Sequence, residues 1–291
     1  MRAFTPGLSH PQAATATRWL VVKGHQVLQS ADGNVLFDRP FSALSSVVDK
    51  PEASTDGLLA SLKVGQLSDA GEFTDCFCQP VPVGNNAGTP AGCEWVGLRS
   101  ILMAHEEALF LMAGAAVQLV NWLDTHRYCG RCGAVNQLQS DDRAMLCSGC
   151  NLRYYPRLSP CVIVLITRGD ECLLAVHRRS SVQMFTALAG FVEPGESLET
   201  AVAREALEEV GLAVERPEYV GSQPWPFPGQ LMMGFCASVA AGPQALQLQD
   251  DEITEAGWFK YNQLPAITPP VQSLSGQLIA KFVEDCRHRY G

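Results

Sequence analysis

The spacing Cys129-x2-Cys132, fourteen residues, then Cys147-x2-Cys150 divides the chain in three before any other reading is made. Each C-x2-C turn presents two thiolates to one tetrahedral ion. The segment between the pairs has the length of a β-hairpin that brings the second pair opposite the first. This predicts a zinc ribbon over about 126–157. A shell of four thiolates is closed and leaves no position for substrate or activated water, so the expected role of Zn²⁺ is to fold and position. A redox pair, or four buried thiols that never meet metal, would each need the spacing to arise twice by coincidence. Among the remaining cysteines, Cys76-x-Cys78 reads as an extended strand with one buried thiol rather than a second ligand pair. Eleven cysteines, an odd count without a signal-peptide pattern, suit metal binding and buried thiols better than disulfides.

On either side of the ribbon the chain has room for a domain, 1–125 before it and 158–291 after it, and 47% hydrophobic residues supply their cores. The longest unbroken apolar run, Ala108 to Val117, is too short for a membrane span. No membrane association is expected, and a cytoplasmic location is. Net charge is −9, which opposes binding to nucleic acid backbones by charge alone; an anionic substrate would need a metal or a local basic patch.

Beyond the ribbon, strand-like runs at 161–168 and 171–178 meet at Gly169-Asp170, a hairpin signal. The stretch "GFVEPGESLETAVAREALEEVGL", Gly190 to Leu212, follows. Ser197 is an N-cap, Gly211 a C-terminal stop, and between them lies one helix of about four turns. At 100° per residue Leu198, Val202, Glu205 and Glu209 share one face, with Glu208 beside them. A solvated stripe would carry lysines at i+4, and this helix has none. Carboxylates converging on an apolar edge repel unless a hard divalent ion, Mg²⁺ or Mn²⁺, lies between them.

These residues resemble the Nudix box, G-x5-E-x7-R-E-U-x-E-E-x-G-U, at every fixed position: Gly190, Glu196, Arg204, Glu205, Glu208, Glu209 and Gly211. Ala206 and Leu212 fill the aliphatic places. Membership of the Nudix hydrolases implies a mixed sheet between helices and metal-assisted hydrolysis of a nucleoside diphosphate bond. In that scheme Glu205, Glu208 and Glu209 hold metal and one of them acts as base, Arg204 orients them, and Glu196 braces the loop.

A stiff segment, "SQPWPFPGQ" at 222–230, sits just beyond the box. Its alternate prolines dictate extended geometry unsuited to a central strand, leaving either a rigid surface loop or a preformed aromatic wall. Together with the ribbon and the "YYPR" at 154–157, it is similar to the NADH pyrophosphatase branch of the Nudix hydrolases. That resemblance is firm over 126–291 and loose over 1–125. It implies substrate contacts from Gln223, Pro224, Trp225, Pro226, Phe227, Pro228, Gly229 and Gln230, the last standing where the motif has serine. It also implies a nicotinamide held between Phe191 and a Tyr155 supplied by the second subunit of a homodimer. The carbonyl of Ala189 and the carboxylate of Glu252 would join the metal site, with Asp250, Asp251 and Glu255 as rivals to Glu252. Asp142, Ser275 and Arg99 are weaker substrate-binding assignments.

The fold expected is therefore α/β: a Nudix fold over 158–291, ending in a helix near 273–290 with Leu274, Leu278 and Phe282 inward. A zinc ribbon and an N-terminal mixed α/β domain precede it. The activity expected is hydrolysis of NAD(H) to nicotinamide mononucleotide and AMP, with removal of NAD caps from RNA 5′ ends. Hydrolysis of another nucleoside diphosphate such as ADP-ribose, or a non-catalytic RNA-binding ribbon module, remain the alternatives.

Overall fold

Among the described residues, two six-stranded sheets, each with a single parallel pair, frame the fold. A computed structural model describes residues 2–41, 44, 62–82, 88–178 and 183–290. It separates into units Met1–Arg157 and Leu158–Gly291.

In the first unit the strands are β1 Ala3–Pro6, β2 Ala16–Lys23, β3 Gln26–Ser30, β4 Leu62–Asp69, β5 Glu72–Val81 and β6 Cys93–Gly97. They lie in the order β1-β4-β5-β2-β3-β6, with β2 and β5 parallel and every other pair antiparallel. Helix α1, Leu98–Ala104, leads into α2, Glu107–Thr125. The apolar run read as ending at Val117 continues past Gln118, because Leu119, Val120, Trp122 and Leu123 recur on the buried face. By length and hydropathy α2 is apolar enough to cross a membrane, but 67% of that window is buried inside the protein. It serves as the core helix of the sheet, touching β1, β2, β3, β4 and β5.

The ribbon belongs to the same unit. Strands β7 Asn136–Leu138, β8 Met145–Cys147 and β9 Arg153–Tyr154 form a three-stranded antiparallel sheet. Arg143, in the β7–β8 turn, donates to the carbonyls of Lys63 and Val64 at 2.9 and 3.2 Å and so ties the ribbon to β4.

The second unit contains β10 Ser159–Arg168, β11 Glu171–His177, β12 Leu188–Phe191, α3 Leu198–Val210, β13 Val214–Trp225, β14 Gln230–Val239, β15 Ile253–Lys260 and α4 Leu274–Tyr290. Strand order is β13-β14-β10-β11-β15, with β10 and β14 parallel and β12 paired to the first half of β10. Alternation along β10 explains the layering. Val162, Val164 and Ile166 face α3, where Ala201, Val202, Ala206 and Val210 meet them. Cys161, Ile163 and Leu165 face α4, against Leu274, Leu278, Ile279 and Phe282. The sheet thus lies between the two helices, as the α/β reading expects.

Candidate active site

Helix α3 starts where the side chain of Ser197 accepts the Thr200 N–H at 3.2 Å. It stops at Gly211, whose φ of 72° lets the Gly211 and Leu212 N–H groups reach back to the carbonyls of Leu207 and Ala206. Its buried face comprises Ala201, Val202, Glu205, Ala206, Glu209 and Val210, which places two carboxylates among core side chains. Small Ala206 suits that position because the face packs directly on the sheet.

Arg204 organises the acidic groups around it. Its Nε and Nη2 grip Glu196 at 2.7 and 3.1 Å, and Nη1 bonds Glu205 at 2.8 Å and Glu208 at 2.9 Å. Nη2 also donates to the carbonyl of Phe191 at 2.8 Å, fixing the end of β12. Glu196 in turn accepts the Glu193 N–H at 3.0 Å, which closes the loop ahead of the helix. Charge-assisted bonds of this kind have fixed geometry, and only the guanidinium fork serves all of them together. The bond to Arg204 holds the Glu196 carboxyl below its ordinary range. Burial pushes Glu205 the other way, in spite of Arg204. The Glu205 carboxylate lies directly over Gly190, where a Cβ would fall 1.9 Å from its Cδ. The glycine that opens the box therefore makes room for a carboxylate.

Glu209 is 1% exposed. Burial first, then the charges of Glu205, Glu252 and Glu208, push its carboxyl up to about 8. Its Oε2 has no hydrogen-bond partner. Such an orphaned oxygen is costly, and a divalent cation among these hard oxygen donors would remove the cost. The residues thus fit the metal that the box implies. Glu252 enters from the turn before β15, exposed, and close enough for its charge to act on both Glu205 and Glu209.

One residue near this cluster escaped the sequence reading. His177 ends β11 with Nδ1 3.9 Å from Glu209 Oε1, and burial lowers its basicity. Its signal was the alternation Leu173, Ala175, His177: the first two face α3, and the third continues that side.

The stiff segment resolves into the end of β13, through Trp225, and a turn over 226–229 with a cis Phe227-Pro228 bond. Pro224 pairs with Leu231 and Trp225 with Gln230, so the segment is more regularly paired than its prolines suggest. This is possible because β13 is an edge strand, where proline interrupts no second ladder. Trp225 and Phe227 meet edge to face, centroids 5.1 Å apart, and Trp225 packs against the core on the α4 side. Pro226 is buried, Pro224 and Pro228 are exposed, and Gly229 gives its carbonyl to the Ser159 N–H at 2.9 Å. Gln230 is half-buried. Gln223 is buried with both ends of its amide engaged, donating to the Gln272 carbonyl at 2.7 Å and accepting the Leu274 N–H at 2.8 Å. That side chain holds the start of α4.

Ser275 is also buried there, its Oγ accepting the Ala187 N–H at 3.2 Å. Ala189 lies in β12 opposite Ile163, and Phe191, at the strand's end, is 49% exposed. In the first unit Tyr155 is 52% exposed, Asp142 lies 3.7 Å from Arg153, and Arg99 is exposed on α1.

The ribbon cysteines converge as their spacing demands: all four sulfurs lie within 4.8 Å of one another, the one such group among the described residues. Backbone N–H groups of Arg131 and Gly149 point at the sulfurs of Cys129 and Cys147, and the Tyr154 hydroxyl is 3.1 Å from Cys129. This is a structural zinc site. Glu205, Glu208 and Glu209 stay wider apart, with the Arg204 guanidinium between the first two.

Family comparison gives three matches between residues 16 and 282. The NUDIX domain profile matches residues 157–282, the NADH pyrophosphatase zinc ribbon domain 124–155, and the NADH pyrophosphatase-like rudimentary NUDIX domain 16–122. NAD-capped RNA hydrolase NudC of Stutzerimonas stutzeri (strain A1501) is 41% identical over 265 residues, 91% of this chain and 89% of that protein. Its namesake in Pseudomonas syringae pv. tomato is 46% identical over 194 residues, 67% of this chain and 69% of its own. A Nudix hydrolase structure from Nitrosomonas europaea aligns with 56% of this chain and 93% of its own at 23% identity and a TM-score of 0.47. With its box, its closed zinc ribbon and a relative 41% identical over 91% of the chain, the chain belongs to the NADH pyrophosphatase group of the Nudix hydrolases.

Proposed function

We propose that this chain hydrolyses the pyrophosphate of NAD(H) to nicotinamide mononucleotide and AMP, and removes NAD caps from RNA 5′ ends by cutting the same bond. The observation that carries the reading is the buried, unpartnered Oε2 of Glu209 among three further carboxylates. Mg²⁺ or Mn²⁺ would be held by Glu205, Glu208, Glu209, Glu252 and the Ala189 carbonyl; when bound, it neutralises phosphate charge and lowers the pKa of water. Arg204 keeps Glu205 and Glu208 in register, and Glu209 is the leading base. Trp225 and Phe227 line the substrate side, while Gln223 supports them from behind through α4.

The exposed rings of Phe191 and of the partner subunit's Tyr155 would clasp the nicotinamide in a homodimer. The ribbon, 126–157, and the N-terminal domain, 1–125, would act as one unit of a cytoplasmic enzyme, tied together by Arg143. A second reading, hydrolysis of ADP-ribose, is favoured by Gln230, a longer side chain where the motif has serine.

Relative kcat/KM for NADH, NAD⁺, ADP-ribose and NAD-capped RNA, with either metal, tests the assignment. NADH and NAD-capped RNA should exceed ADP-ribose by about tenfold or more, the discrimination that about 1.4 kcal/mol of selective contacts supplies. Equal values for all four substrates would sink it.

A further inference from the structure

The pairing of β11 with β15 slips between Val176 and His177, so that His177 stands opposite Ile253, the neighbour of Glu252. The slip falls at the residue whose imidazole faces Glu209 of α3, while Glu252 lies in the turn before β15, next to Ile253. The charge of Glu252 acts on both His177 and Glu209. The imidazole Nδ1 stands 3.9 Å from Glu209 Oε1, too far for a hydrogen bond. Two ligands of one octahedral ion are about 3.0 Å apart when adjacent and about 4.2 Å when opposed, for bonds of about 2.1 Å. The separation falls within that span, and the orphaned Oε2 belongs to the same carboxylate.

We propose that His177 supplies a nitrogen ligand to the divalent ion held by Glu209 and Glu252, and that this nitrogen selects a first-row transition ion over Mg²⁺. The inference rests on the reading of the glutamates as metal ligands. Imidazole favours ions such as Mn²⁺ over Mg²⁺, which binds oxygen and sheds water reluctantly. An all-glutamate site has no comparable preference. With a flank of partly exposed side chain (28%), His177 also remains reachable from solvent.

The test uses full-length protein with its ribbon zinc in place and Mn²⁺ as the probe. Pulsed electron paramagnetic resonance of bound Mn²⁺ should show ¹⁴N modulation, and the H177Q variant should lose it. By titration calorimetry H177Q should weaken Mn²⁺ about tenfold or more and Mg²⁺ less than about threefold, the scale of lost metal-site groups. H177N, a smaller amide, controls for packing and should behave alike. If E209Q abolishes Mn²⁺ binding while the wild-type signal contains no nitrogen, this inference fails and the glutamate reading stands. Mn²⁺ binding untouched by E209Q would overturn both.

Discussion

The two sheets of this protein share one plan. In the first unit the run β4-β5-β2-β3-β6 has a hairpin, a parallel pair, a second hairpin and an antiparallel edge. In the second unit β13-β14-β10-β11-β15 repeats that order, the parallel pair again at its centre. In each, a long helix follows the last strand of the run: α2 after β6 and α4 after β15. They differ in what lies between the second and third strands of the run in chain order. The second unit places Gly190, Arg204 and six glutamates there, between β11 and β13, whereas residues 31–61 of the first, between β3 and β4, hold a single glutamate, Glu52. The same frame thus occurs with and without its acidic helix sequence, so chemistry belongs to that insertion and the sheet supplies only its footing.

The sharpest way to test this contrast is to remove one carboxylate from each unit. Glu209→Gln should lower kcat for NADH at least about a thousandfold, about 4 kcal/mol of lost transition-state stabilisation, with the circular dichroism spectrum unchanged. Asp75→Asn on β5, which breaks the 2.7 Å pair with Lys63 on β4, should leave kcat/KM within about twofold and alter only the melting temperature. A comparable catalytic loss in both would mean that the first sheet takes part in the chemistry.

Two crowded glycines make the same point with smaller effects. A Cβ at Gly190 would fall 1.9 Å from Glu205 Cδ, and one at Gly65 would fall 2.3 Å from the Thr5 carbonyl oxygen. Gly190→Ala should displace the carboxylate and cost about a hundredfold in kcat, the price of a misplacement near 1 Å. Gly65→Ala should press on the β1–β4 pair and destabilise by about 1–3 kcal/mol, seen in denaturant midpoints with kcat unchanged.

What the sequence revealed follows the range of the interactions involved. Ser197, Gly211 and the glutamate spacing act within one helix, and the cysteine pairs act within two tight turns, so both were legible. The bonds of Gln223 to Gln272 and Leu274 were not legible, because these partners lie about fifty residues away. His177 depended on a seven-residue strand whose alternation is too short to distinguish a core face from a site. The shared strand order left no common residues to read at all, since packing of an alternating sheet specifies apolarity and not identity.

The smallest effect separates the two acidic environments by pH. Glu209 has an ordinary value of 4.5, raised in the folded protein to about 8, so between these values the folded state binds more protons than the unfolded one. Unfolding free energy then falls as pH rises from about 4.5 to about 8, and levels off above that. Protein that keeps its ribbon zinc but holds no other divalent ion should therefore lose melting temperature over this window, read by calorimetry of the second unit's transition. Added Mn²⁺ should flatten the curve, because a bound cation takes the proton's place on the buried carboxylate. Glu209→Gln should flatten it without metal. Asp75→Asn in the first sheet, which breaks a partly exposed pair with Lys63, should leave that slope unchanged. A slope that persists in Glu209→Gln would place the buried proton on another group and remove the electrostatic distinction between the two sheets.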